Sequence, residues 1–265
     1  MRERDGKLVR SRENPRYRLL RQLATSTRER RKAGLALLDG AHLIAAYRAA
    51  GGSPEQLILR ESAAGNAELA ALAASVDARA LLLLADPLFN EIAQVSTPTG
   101  IVALIRTPDP GALPPAIGQC VMLENIQDAG NLGSILRSAA AAGVRTVLLS
   151  QGCAFAWSSK VLRAGMGAHF SLDIFDNVDL AAAAGRLSGR LICSSGHARK
   201  SIYQADLRGP LAWVFGNEGA GISPALLAAA AEQLCIPMRG KTESLNVAAA
   251  AAICLFEQLR QQSQS

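Results

Sequence analysis

Aromatic residues are scarce in this chain, 4% against an apolar fraction of 49%, so a core large enough for full burial has to be built from Ala, Leu and Val. No apolar run reaches the roughly 20 residues that a membrane-spanning helix needs, which excludes a helical membrane protein. The opening residues, Met1-Arg-Glu-Arg-Asp-Gly-Lys7, have none of the apolar core of a signal peptide. The five cysteines (Cys120, Cys153, Cys193, Cys235, Cys254) include no close pair and stand mostly in apolar contexts. That speaks against a disulfide framework or structural zinc, and for buried reduced thiols in a cytoplasm. His42, His169 and His197 are spread apart and read first as structural, with a reservation for His197 at the end of a predicted strand. No cluster of His, Cys or carboxylates has metal-ligand spacing, so no metal is expected. Neither a Walker A loop nor GxGxxG is present, which removes the usual signatures of nucleotide-phosphate and dinucleotide binding.

The charge is unevenly spread. Residues 1–32 hold 12 Arg/Lys against 4 Asp/Glu, so this arm carries +8 and the remainder −2 of the net +6. Two readings stay open: a solvated tail, or a surface for nucleic-acid phosphates, with Arg16, Arg18, Arg28 and Arg30 as the candidate contacts. If the arm is only a tail, Arg163, Arg239 and Lys241 are the next cations to consider.

A chain of 265 residues exceeds the roughly 100–200 residues that one core typically serves. Residues 107–118 carry four prolines and read as a stiff linker between a domain over 1–106 and another over 119–265. The first alternates helix and strand: helix Pro15–Leu23, strand Leu35–Leu38, helix Ala41–Ala50, strand Gln56–Leu59, helix Asn66–Ser75, strand Ala80–Leu84, helix Pro87–Ala93, strand Gly100–Ile105. The second has strands near 120–124, 145–149, 171–175, 190–194, 211–215 and 233–237, with helices between most of them. That spacing predicts an α/β fold with a mainly parallel sheet and helices on both faces.

Three segments of the second region share one plan: apolar strand, polar loop, helix. Cys120-Val-Met-Leu-Glu124 leads through Asn125-Ile-Gln-Asp-Ala-Gly-Asn131 into a helix to about Gly143. Helical spacing puts Gly133, Arg137, Ser134 and Ala141 on one face and Leu132, Ile135, Leu136 and Ala139 on the other. Ala212-Trp-Val-Phe215 runs into Gly216-Asn-Glu-Gly-Ala-Gly-Ile222, and Leu234-Cys-Ile-Pro-Met238 runs through Arg239–Glu243 into Ser244-Leu-Asn-Val247 and an Ala-rich helix. Loops that follow strands in such sheets are where ligands bind. An ordinary helix cap with a surface arginine remains the plain alternative for the first segment.

In this order, and across roughly residues 118–262, the three segments resemble the motifs of the SpoU (TrmH-like) family of RNA ribose 2′-O-methyltransferases, within the SPOUT superfamily. The first domain, with Ser11-Arg-Glu-Asn-Pro15 and Leu38-Asp-Gly-Ala-His-Leu43, resembles that family's substrate-binding module, similar to the ribosomal-protein L30e/L7Ae fold. The resemblance implies a SPOUT-type knotted sheet closed by the last helix, S-adenosylmethionine as cofactor, and an RNA substrate, ribosomal before transfer RNA. It implies that Arg137 helps activate the ribose hydroxyl. Gly216, Ile236 and Leu245, and less strongly Met238 and Ala248, would contact the cofactor.

The residue chemistry agrees. Methyl transfer to a ribose hydroxyl needs the reactants held in line and the charge that develops on oxygen stabilised. Arg137 offers a fixed positive charge and several donors. Asn131 can hold Arg137 or the ribose. Glu218 can accept from Arg137 or Asn131, unless it is a loop carboxylate in water. Ser244 and Asn246, at the start of the last helix, can cap amides or face a ligand. That helix is apolar nearly all round, so a second subunit is expected against it. Two departures from the family pattern stand out: Ala129 where proline is common, and Gly165 where serine is frequent. A non-catalytic RNA-binding assembly factor and a nucleotide-dependent oxidoreductase are the rival classes. The intact set Asn131, Arg137, Glu218, Ser244 and Asn246 speaks against the first, and the missing glycine fingerprint against the second.

Overall fold

The computed structural model describes residues 8–95, 97–240 and 243–264. The chain forms two compact units, one ending at Pro108 and taking in Trp157–Phe170, the other holding Asp109–Ala156 and the chain from Ser171 onward. Residues 157–170, which chain order places in the second patterned region, thus pack with the first.

The first unit runs β1 (Leu8–Val9), α1 (Pro15–Thr25), α2 (Thr27–Ala33), β2 (Leu35–Asp39), α3 (Ala41–Ala49), β3 (Gln56–Arg60), α4 (Ala67–Ala74), β4 (Leu81–Leu84), α5 (Asp86–Ile92) and β5 (Ile101–Arg106). The strands order as β1-β4-β3-β5-β2. β5 runs antiparallel to β2 and β3, and the other pairs are parallel. Asn14 starts α1 by accepting from the amides of Arg16 and Tyr17, and Pro15 takes the first helical position, where a missing N–H costs nothing. Tyr17, Leu20 and Leu23 of α1 and Phe89 and Ile92 of α5 pack with Leu37, Ile58, Leu82 and Val102 of the sheet. The highly charged α2 has no apolar rhythm. Ser26 caps its start, and Gly34 ends it in the left-handed region at φ +62°.

The second unit runs β6 (Cys120–Leu123), α6 (Ala129–Ala141) and β7 (Thr146–Leu149), after which α7 (Ser159–Gly165) lies in the segment that joins the first unit. It resumes with β8 (Asp173–Phe175), α8 (Leu180–Ala184), β9 (Arg190–Ser194), β10 (Lys200–Ser201), β11 (Leu211–Phe215), α9 (Pro224–Ala229), β12 (Glu232–Cys235) and α10 (Val247–Gln262). The order is β10-β12-β9-β11-β6-β7-β8, and every pair is parallel. Alternation along the strands fills both faces. Cys120, Met122, Ala212 and Val214 face a core shared with Leu180 and Ala183 of α8 and Leu226 of α9. Trp213 points to the opposite face, where its Nε1 donates to Gln258 Oε1 of α10 at 2.9 Å. On that face α10 packs against α6. The second half of residues 107–118 is tied down: Arg186 donates to the carbonyls of Leu113, Pro114 and Pro115, and Ile117 is buried.

Candidate active site

In an all-parallel sheet the loops after successive strands leave from one edge. β6 continues to β7 and β8 on one side, while β9, β11 and β12 fill the other, so the order reverses between β6 and β11. Ligands of open α/β sheets bind at such a reversal. The loops after β6, β11 and β12 carry the three polar segments.

Each loop is shaped by short polar side chains. Asn125 takes φ +55°, a conformation that Asn tolerates better than most residues. Its N–H donates to Ser150 Oγ at 2.9 Å, and its carbonyl accepts from Asn217 Nδ2 at 2.9 Å. Asn217 Oδ1 also accepts from the amides of Gly219 and Ala220, both at 2.9 Å, which folds the second loop back on itself. Gly216 is required there, since a Cβ would lie 2.3 Å from the carbonyl oxygen of Gly221. Asp128 caps α6 by accepting from the Asn131 amide at 2.7 Å. Ala129 is then the first helical residue, the position where proline would be favoured but alanine serves. Asn246 caps α10 through Oδ1, which accepts from the amides of Ala248 and Ala249 at 2.9 and 3.3 Å.

The three loops converge on one amide. Asn131 Nδ2 donates to Glu218 Oε1 at 2.7 Å, and Asn246 Nδ2 donates to Asn131 Oδ1 at 2.8 Å. Asn131, Glu218 and Asn246 thus form one hydrogen-bonded row. Glu218 serves Asn131 and not Arg137. Arg137 is exposed further along α6, where it makes no hydrogen bond or ion pair with another described residue, so its donors remain available to a substrate. Ser244 is also exposed and makes none. Gly133, one turn before Arg137 on the same face of α6, is buried, so that face is covered at Gly133 and opens to solvent at Arg137.

Of the cofactor candidates, Gly216 is buried, and Ile236 and Ala248 are partly buried. Met238 and Leu245 leave 38% and 39% of their surface in solvent. Two large apolar side chains open to solvent in the one loop after β12, with the buried Gly216 of the loop after β11 offering main chain only, suit a ligand with a flat ring that is gripped by backbone. Lys241, in the third loop, lies outside the described residues.

On the first unit, Arg16, Arg18 and Arg28 are exposed. Arg18 pairs with Glu13. Arg16 and Arg28 have no side-chain partner among the described residues. Arg30 overturns the reading of a uniformly exposed arm. It is 5% exposed, and its guanidinium donates to the carbonyls of Leu23 and Ala24, at the end of α1, and to Thr27 Oγ1. It holds α1 to α2 and cannot face a phosphate. Arg12 and Arg21 both pair with Glu91, which also accepts from the Tyr17 hydroxyl. Burial, chiefly, pushes the Tyr17 hydroxyl up to about 12. His169 is fully buried beside Trp157, whereas His42 and His197 are exposed.

Asn125, Asp128 and Asn217, which shape the loops, are not among the candidates read from sequence. Their signal is there: Asn and Asp at strand-to-helix turns favour side-chain-to-backbone bonds.

Residues 118–256 match the SpoU rRNA Methylase family, and residues 14–103 match the MRM3-like substrate binding domain. An uncharacterized tRNA/rRNA methyltransferase of Synechocystis sp. is 33% identical over 96% of this chain and 94% of its own length. The 23S rRNA (guanosine(2553)-2′-O)-methyltransferase RlmP of Bacillus subtilis is 29% identical over 94% of this chain and 98% of its own. Among solved structures, an AdoMet-bound rRNA methyltransferase from Sinorhizobium meliloti superposes with a TM-score of 0.82 at 26% identity, covering 96% of this chain and 98% of that one.

Proposed function

The chain belongs to the SpoU rRNA methylase family, and from that membership we propose that it methylates a ribose 2′-hydroxyl of 23S ribosomal RNA. It is an S-adenosylmethionine-dependent RNA methyltransferase with the mixed α/β, parallel-sheet fold of SPOUT enzymes. The observation that carries the proposal is the row Glu218–Asn131–Asn246, which draws the three loops together at the start of the helix that also carries the exposed Arg137. When bound, S-adenosylmethionine supplies the methyl carbon. Gly216, Ile236 and Leu245 would hold it, with Met238 and Ala248 beside them. Arg137 stabilises the charge that develops on the ribose oxygen, Asn131 and Glu218 fix the loop geometry, and Ser244 is free to meet the substrate. Mapping 2′-O-methyl marks on total RNA with and without the protein tests this. A missing mark on 23S RNA is expected, and one on transfer RNA alone would reassign the substrate.

In this reading residues 1–106 hold the RNA, 107–118 link, and 119–265 carry the chemistry, with the end of the chain threaded as the SPOUT knot. The protein works in the cytoplasm, and no helix of the described residues is long and apolar enough to cross a membrane. It acts as a homodimer through the 119–265 region. Support comes from α10, where Phe256 leaves 47% of its surface exposed on a helix otherwise rich in Ala and Leu. Light scattering on the full chain should give twice the monomer mass, and Phe256→Glu should shift it toward monomer. A monomeric wild type would contradict the dimer.

RNA binding by the arm is tested by salt. Each phosphate neutralised by Arg releases counterions, so replacing Arg16 and Arg28 by Gln should flatten the plot of log affinity against log salt by about 1 for each phosphate no longer neutralised. Sequence preference should change little, because phosphate contacts position without reading bases. Arg30→Gln should leave the slope alone and lower stability instead, by about 1–3 kcal/mol, the cost of unpaired buried carbonyls. An unaltered slope in Arg16→Gln/Arg28→Gln would make the arm a solvated surface.

A further inference from the structure

Residues 157–170 pack with the first unit although the chain on either side belongs to the second. Their hold is polar and specific. Gln94, just beyond α5, uses every polar group it has. Its backbone N–H donates to Asp39 Oδ2 at 2.7 Å and its Nε2 to the Ile92 carbonyl at 3.0 Å. Its carbonyl accepts from Arg163 Nη1 at 2.7 Å, and its Oε1 accepts from Ser159 Oγ at 2.7 Å. The first two bonds fix Gln94 within its own unit, and the last two fix α7 to it. Around this hub Phe170 packs on Tyr47 with ring centroids 5.1 Å apart, and Trp157 is 7% exposed. Gly167, at φ +89°, passes so close that a Cβ would lie 2.8 Å from that of Ala46.

The approach to this segment is rooted in the loop after β6. The Ala154 amide donates to the Ile126 carbonyl at 2.8 Å, Cys153 Sγ donates to the Leu123 carbonyl at 3.2 Å, and Ser150 Oγ accepts from the Asn125 amide at 2.9 Å. That same loop ends in Asp128, whose carboxylate sets the first turn of α6 and with it Asn131. A hydrogen-bonded and covalent route therefore runs from Asp39 and Gln94 through α7, back along residues 150–156, to the loop 124–128.

We infer that residues 157–170 are a positioning strap: RNA seated on the first unit orders the catalytic loop through them, with Gln94 as the positioning residue and Ser159 and Arg163 as its partners. This rests on the RNA reading of the first unit given above. Coupling of this kind travels through packed and hydrogen-bonded neighbours. It acts on the rate of methyl transfer, not on the grip on either ligand.

The test uses the full chain carrying Ser159→Ala, Arg163→Met, or both, with Arg163→Lys as the conservative control. Affinity for a 23S RNA fragment is read by fluorescence anisotropy, affinity for S-adenosylhomocysteine by calorimetry, and the single-turnover rate with both sites saturated. Amide hydrogen exchange over 124–133 is followed with and without RNA. The double variant should keep both affinities within about twofold while its rate falls by about tenfold, within the usual range of coupling between sites. In the wild type RNA should slow exchange over 124–133, and in the double variant that slowing should disappear. Arg163→Lys still reaches the Gln94 carbonyl and should keep most of the rate. Ser159→Ala deletes one hydroxyl and leaves the fold intact, so it reports even if the double variant melts early. A wild-type rate and wild-type protection in these variants would overturn the strap. So would a rate loss matched by lost cofactor affinity or lower melting temperature, which would make the segment simply structural. If RNA gives no protection to α1 and α2 in the wild type, the RNA reading itself fails. If it protects α1 and α2 but never 124–133, only the strap fails.

Discussion

Replacing Arg137 with Ala should abolish measurable methyl transfer and leave affinity for S-adenosylhomocysteine nearly intact. The guanidinium is exposed on α6 and bonded to no other described residue, so its removal disturbs no packing and orphans no buried group. In the proposed role its charge would matter only when the ribose oxygen becomes negative, as an interaction of the transition state and not of the bound ground state. Deleting one preorganised donor to a developing oxyanion typically costs about 10²–10³ in rate, and a full charge should lie at or beyond the upper end. Arg137→Lys should recover part of the loss, since it keeps the charge but not the planar set of donors. A tritium-methyl assay at saturating RNA and cofactor gives the rate, and calorimetric titration gives the affinity. Near-normal turnover by Arg137→Ala would end this account of the chemistry. Equal losses in rate and cofactor affinity would move Arg137 from charge stabilisation to cofactor binding.

How much of this can be read from the residues alone depends on how local each signal is. The runs that form β6, β9 and β11 are short, apolar and followed by turn residues, and their strand–helix alternation leads directly to a parallel sheet. β1 and β10 are two residues each, too short to carry any pattern, and exist only because β4 and β12 offer open edges. α2 lacks an apolar period and so gives no helical signal of that kind, although Ser26 and Gly34 mark its ends. Arg30 shows where composition misleads. Density of charge says surface, but only the fold reveals that this guanidinium closes the end of α1. The allegiance of residues 157–170 is likewise a fact of tertiary packing, because nothing in Ser159, Arg163 or Phe170 announces Gln94 or Tyr47 as a partner. At the site, Asn131, Glu218 and Asn246 stand out as residue types, but the order in which they bond cannot be read from spacing.

That order has a direction, and the direction yields the second large effect. A carboxylate only accepts, so Asn131 must turn its NH₂ toward Glu218, which leaves its carbonyl oxygen facing Asn246. Asn246 must then present its own NH₂ and keep its oxygen for the amides of Ala248 and Ala249. The charge at Glu218 thus fixes every amide in the row. Asn246→Asp keeps the helix cap and the shape but sets an oxygen against the oxygen of Asn131. The row breaks, and the single-turnover rate should fall by about 10²-fold, as when a positioning bond is broken, with little change in melting temperature. Glu218→Gln should cost less, because its amide can still accept from Asn131. The double change Asn246→Asp/Glu218→Gln should run faster than Asn246→Asp alone. The carboxamide introduced by Glu218→Gln can donate, the Asn131 amide can turn over, and every donor finds an acceptor with the row reversed. Residues in one hydrogen-bonded network couple by about 0.5–3 kcal/mol, so the double variant should exceed the product of the single losses by about tenfold. A double variant no faster than that product would show that the three side chains act independently, and that the convergence of the loops rests on their backbones instead.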